Sequence, residues 1–184
     1  MATYKTYIGD PLGCVPAALL SQIQSQLADL MSPCTSNAFE NNWVYLASPS
    51  LVPQGWELLV YFAPAGVSII KNAPSTESPD LDAGGNTAFG AGASEVYMKS
   101  TDPVILARLA FHELMHNRLQ LGGKGPTDGL HAQGGLASWQ IDASTPYTDA
   151  NKNAMAAVIS NPITQWTDGL NINVNDPMSE YYRP

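Results

Sequence analysis

Charge is what this chain has least of. Asp, Glu, Lys and Arg make up 13% of its 184 residues, against about 25% in an ordinary globular domain. Only 8 residues are basic and 16 acidic, a formal net charge of −8 at pH 7. Cations this few, with none in a run, exclude a binder of phosphate backbones, so no nucleic-acid partner is expected. An acidic surface also disfavours strongly acidic substrates. Long apolar runs are missing too. No stretch approaches the ~20 residues of a membrane span, so no membrane partner is expected. The opening segment, Met1 to Pro11, is polar and lacks the basic-then-apolar order of a signal peptide. On that reading the chain is cytoplasmic or exported without a cleavable signal. Cysteine is scarce, with two in all, which excludes a disulfide framework. Cys14 and Cys34 flank a stretch that reads as helical, whose ends stand roughly 20 Å apart. A disulfide needs Cα atoms within about 7 Å, so both are expected as thiols.

What is present is enough for one globular domain spanning residues 1–184, with 45% hydrophobic residues and a length typical of a single core. Leu19, Leu20, Ile23, Leu27, Leu30 and Met31 recur at helical spacing, predicting a first helix over Pro16–Met31. Strands are predicted at Trp43–Ala47, Trp56–Phe62 and Val67–Ile70. Asn72–Ser94, rich in Gly, Pro, Ser and Asp, reads as a long loop, and Glu95–Lys99 as a short strand. Asp102 then reads as an N-cap with Pro103 in first helical position. The helix it opens is apolar nearly all round, runs to Leu121, and stops at Gly122-Gly123. It should pass through the centre of the molecule. A third helix is predicted over about Ala150–Ser160, and the tail from Asn161 is turn-rich.

The central helix carries His112-Glu113-Leu114-Met115-His116. Residues four apart on a helix share a face, so two imidazoles so placed can reach one metal ion. Glu113 then stands beside the metal, where a carboxylate can take a proton from water. The chain has 3 histidines in all, the third being His131, and a catalytic zinc site needs about three protein ligands. The nine residues Gly122 to Leu130 can span about 30 Å when extended, so His131 can return to the pair. Asp128 is the competing third ligand, or else an acceptor for an imidazole N–H. Three plainer readings stand beside this one. The histidines could be satisfied core residues, the metal could be structural, and His131 could be an exposed loop residue.

These residues resemble the zincin superfamily of zinc metallopeptidases. The likeness covers the His112–His116 motif and the order of elements before it, and the three-histidine set is most similar to the metzincin branch. Metzincins place a glycine and then the third histidine at the positions held here by Leu119 and Gly122, so His131 arrives late. Pro177-Met178-Ser179-Glu180-Tyr181 resembles their methionine turn, with the spacing off by one. Asp128, preceded by Pro126-Thr127, is similar to the aspartate ligand of other zincins. The resemblance implies an α+β, zincin-like fold: a small mixed sheet, an N-terminal backing helix and a central active-site helix. It implies an edge strand along the cleft that pairs with an extended substrate, falling here on Glu95, Val96, Tyr97 and Met98.

The expected function is zinc-dependent hydrolysis of peptide bonds, acting as an endopeptidase on a peptide or protein substrate. Zn2+ sits on His112, His116 and His131, with Asp128 as the alternative, and Glu113 is the general base. A donor must share the developing oxyanion charge. With no fourth histidine, Tyr181 and Tyr182 are the candidates, followed by Tyr147 and, less well placed, Arg118. Two further functions remain open: a non-catalytic zinc-binding or interaction domain, and a zinc amidohydrolase acting on a non-peptide or cell-wall substrate.

Overall fold

A computed structural model of the chain describes residues 4–10, 12–35, 39–43, 58–65, 84–87, 93–119, 128–130 and 140–159. The elements, in order, are β1 (Tyr4–Gly9), α1 (Ala17–Met31), β2 (Phe39–Trp43), β3 (Leu58–Pro64), β4 (Gly85–Thr87), β5 (Ala93–Met98), α2 (Pro103–Leu119) and α3 (Asp149–Val158). Among the described residues the fold is mixed α/β, three α-helices with one five-stranded sheet in the order β2-β1-β3-β5-β4. Every neighbouring pair is parallel except β4–β5.

α1 forms where its apolar spacing places it, with Leu19, Leu20, Ile23, Leu27 and Met31 buried. Pro16 lies just outside as N-cap, at ψ 140°, because its fixed φ suits the entry to a helix. Before it, the buried Asp10 accepts the amides of Cys14 and Val15, each at 2.9 Å, and the Cys14 thiol at 3.3 Å. That carboxylate holds the turn between β1 and α1. Both cysteines are free thiols, as expected. α2 packs against α1 and over β3, β4 and β5. Leu106, Ala107, Ala110, Phe111, Leu114 and Met115 along it are fully buried, so it does run through the core.

Three sequence expectations change. β1 was not foreseen, although it is an interior strand between β2 and β3. Gly85–Thr87, inside the expected long loop, is a strand. The strand expected at the edge, Glu95–Lys99, falls on β5, which lies between β3 and β4; among the described residues the edge on that side is β4. Three residues of Gly, Asn and Thr show no apolar alternation, so only pairing with β5 reveals them. The strand predicted at Trp56–Phe62 is β3, two residues later. Val67–Ile70 and most of Trp43–Ala47 lie outside the described residues, as does the chain beyond Ile159.

Candidate metal centre

β5 and β4 present alternate side chains to two faces. Register pairs Thr87 with Ser94 and Gly85 with Val96, and this face meets α2. Asn86 and Glu95 pair on the opposite face, where the Tyr97 hydroxyl donates to Glu95 Oε1 at 2.6 Å. The first face bonds to the motif helix, through Thr87 and Ser94.

On α2 the His112 ring is buried, 1% exposed, and its Nδ1 lies 2.6 Å from the Leu130 carbonyl oxygen. A carbonyl can only accept, so Nδ1 carries the proton. Burial pushes the His112 pKa down to about 4, opposed in part by that hydrogen bond. At neutral pH the ring is therefore uncharged, with its lone pair on Nε2. His116 Nε2 stands 3.1 Å from it, the two rings meeting edge to face at 82°. Two imidazole nitrogens bound tetrahedrally at the usual zinc distance would be about 3.3 Å apart. The spacing and donor type fit a zinc ion. Without metal, the same approach suits an Nε2–H of His116 donating to His112.

Glu113 is fully buried. Thr87 Oγ1 lies 2.8 Å from its Oε2 and 2.9 Å from its main-chain oxygen, while Ser94 Oγ donates to that main-chain oxygen at 3.0 Å. A helical carbonyl already accepts from its own i+4 amide, and Ser94 supplies a second donor. The single Thr87 proton is then best placed on the carboxylate. Gly85 completes the cradle. A Cβ there would sit 2.6 Å from Glu113 Cγ, 2.7 Å from Oε1 and 2.7 Å from the Glu95 carbonyl oxygen. Only a glycine lets β4 pass this close.

Leu130 is in turn held from α3. Asn151, fully buried, accepts the Leu130 amide on Oδ1 and donates Nδ2 to the Asp128 carbonyl, both at 2.9 Å. Thr148 caps α3 in a reciprocal capping box with Asn151.

The structure thus brings the His112 and His116 rings together and seats the neighbouring Glu113 carboxylate against β4. It places the Asp128 carboxylate on the surface, accepting the Thr148 hydroxyl at 2.7 Å, and the acceptor at His112 Nδ1 is the Leu130 carbonyl. Tyr147 is also accounted for elsewhere: its hydroxyl donates to the Leu30 carbonyl and meets Cys34 Sγ, and its ring packs edge-on against Phe111. That phenol belongs to the junction of α1, α2 and α3. His131, Tyr181, Tyr182 and Met178 lie outside the described residues, as does the Arg118 side chain. Among the described residues no group of three His, Cys, Asp or Glu forms a metal set. Sequence reasoning missed Gly85, Thr87, Ser94 and Asn151. Only Asn151 carried a signal, the Thr148-x-x-Asn151 capping pattern. No protein-family model matches the chain, and no curated protein matches it.

Proposed function

We propose that this chain is a zinc-dependent peptidase of zincin-like fold. The observation that carries the reading is the His112–His116 Nε2 pair at 3.1 Å, beside a buried glutamate whose carboxylate is gripped by the sheet margin. His112 and His116 hold the ion. His131 completes the set, since Leu130, which it follows in sequence, is bonded to the His112 ring. When bound, zinc supplies a Lewis acid that makes water a nucleophile at neutral pH. Glu113 takes the water proton and passes it to the leaving amine. Thr87 keeps that carboxylate in one rotamer, so little reorganisation is left for the reaction. Tyr181 or Tyr182 donates to the oxyanion.

Strand order supports the same reading. Zincins have an edge strand along the cleft, and among the described residues the last strand of the sheet beside Glu113 is β4, antiparallel to β5. The substrate-pairing role inferred from the resemblance does not fall on Glu95–Met98, because β5 lies inside the sheet between β3 and β4.

Metal analysis of the purified protein, with cleavage-site mapping on a peptide library and a parallel peptidoglycan panel, tests this. One zinc per chain and peptide cleavage are expected, both lost on chelation and restored by zinc. Glu113→Gln should keep metal and fold and lose turnover by several orders of magnitude. Zinc with no turnover on any substrate would overturn the enzyme reading in favour of a binding domain, and cleavage confined to peptidoglycan would favour an amidohydrolase.

A further inference from the structure

We propose that Asn151 is a positioning residue for the metal centre, acting from α3 through the Leu130 carbonyl on the His112 ring; this rests on the zinc reading above. Asn151 lies far from the motif in sequence and its side chain bonds to neither histidine in the contacts described. Its amide nevertheless brackets the segment on which His112 depends. Oδ1 accepts from the Leu130 amide at 2.9 Å and from the Thr148 amide at 3.2 Å, and Nδ2 donates to the Asp128 carbonyl at 2.9 Å. Two N–H donors on one side and a carbonyl on the other fix the orientation of the amide without ambiguity.

The bracket is tight. Gly129 sits between its two bonded residues at φ +78°, and a Cβ there would fall 2.1 Å from Asn151 Oδ1 and 3.0 Å from the Pro146 carbonyl oxygen. A side chain at 129 is therefore excluded by backbone conformation and by the amide together. The outcome is a Leu130 carbonyl aimed at His112 Nδ1, 2.6 Å away. That bond places the ring proton on Nδ1 and so leaves Nε2 as the ligand atom. A buried amide with every bond internal is costly to misplace, so the position of the carbonyl follows Asn151. The same bracket fixes the residue that leads into His131.

Zinc affinity, measured by competition with a chromophoric chelator, tests the proposal on Asn151→Ala, Gly129→Ala and Val158→Ala. Loss of a group that orients a ligating histidine typically lowers metal affinity about 10–100-fold. That loss is expected for Asn151→Ala and Gly129→Ala. Val158, a buried α3 residue outside the bracket, is the control: Val158→Ala should lower Tm and keep zinc affinity within about twofold. A second readout needs no metal. In zinc-free protein, the nitrogen-15 NMR spectrum should show the Nδ1–H tautomer of His112, lost or mixed in Asn151→Ala. If the wild type binds no zinc, the metal reading fails while the tautomer measurement still decides the bracket. A folded Asn151→Ala protein with unchanged zinc affinity and an unchanged His112 tautomer would overturn the proposal. So would an equal loss of zinc in Val158→Ala, which would make α3 stability alone the cause.

Discussion

Gly85→Ala adds a single methyl group at the point where β4 crosses Glu113. Ordinary carbon contacts begin near 3.5 Å, while the new Cβ would stand 2.6 Å from Glu113 Cγ and 2.7 Å from both Glu113 Oε1 and the Glu95 carbonyl oxygen. The shortfall is about 0.8 Å against each neighbour. The Glu95 oxygen belongs to β5, in register with Asn86 and flanked by pairs Gly85–Val96 and Thr87–Ser94. It can yield only by loosening the ladder. The Glu113 side chain has more freedom, but moving it takes Oε2 out of reach of Thr87. Overpacking of this kind costs about 1–3 kcal/mol, so the protein should fold with a lowered Tm. The chemistry should suffer more, because a misplacement near 1 Å in a reacting group costs about 10² in rate. Turnover on a mapped peptide substrate, zinc content and Tm would be measured together. Zinc should stay at one per chain, since the atoms nearest the new methyl belong to Glu113 and Glu95. A Gly85→Ala enzyme with wild-type kcat and Tm would refute the close packing of β4 on Glu113 and the idea that the sheet margin positions the base.

Thr87→Val removes the hydroxyl that bonds Glu113 Oε2 and keeps the shape, so kcat should fall about 10–100-fold with KM and zinc content near normal, consistent with about 1.5–3 kcal/mol for a hydrogen bond to a charged group; Thr87→Ser should restore most of it in the same steady-state assay. His131→Ala should lower zinc affinity sharply, whereas Asp128→Ala should leave it unchanged and cost only the Thr148 contact at α3, as read by chelator competition and thermal melts. Both thiols should alkylate slowly in the folded protein at pH 8 and fully in denaturant: burial raises the Cys14 pKa with help from the Asp10 charge, and burial raises that of Cys34. Both folded-state pKa values lie above the unfolded ones, so at pH 8 each thiolate is scarcer in the folded protein than in the unfolded chain, and rapid alkylation of native protein would contradict it. Asp10→Ala should destabilise the fold by roughly 2–6 kcal/mol, since it strands two amides at about 1–3 kcal/mol each, measurable by urea titration.

How much of this was legible in the sequence depends on whether the signal was local. The two histidines and Glu113 share one helix, so their relation follows from the pitch alone. α1 and α2 were legible for the same reason, through apolar spacing and through a proline at the entry of each, Pro16 as the N-cap of α1 and Pro103 as the first residue of α2. The sheet was harder. β1 holds Thr6 and Ile8, both fully buried, yet a short strand at a polar start declares itself only once β2 and β3 flank it. β4 has no apolar residue, and its identity rests on pairing with β5 and on the absence of a Cβ at Gly85. Around the site, Thr87, Ser94 and Asn151 stand 26, 19 and 21 residues from the groups they bond. No periodicity carries a contact across such separations. The exchange of Asp128 for Leu130 shows the physical reason most clearly. A carboxylate is visible in a sequence as a candidate acceptor, whereas every residue offers a main-chain carbonyl and none advertises it. Which carbonyl faces His112 is decided by a glycine with positive φ and by a buried amide on another helix. An acceptor search restricted to side chains therefore selects Asp128, two residues from the group that holds the ring, and turns to the backbone only when the path of the chain is known.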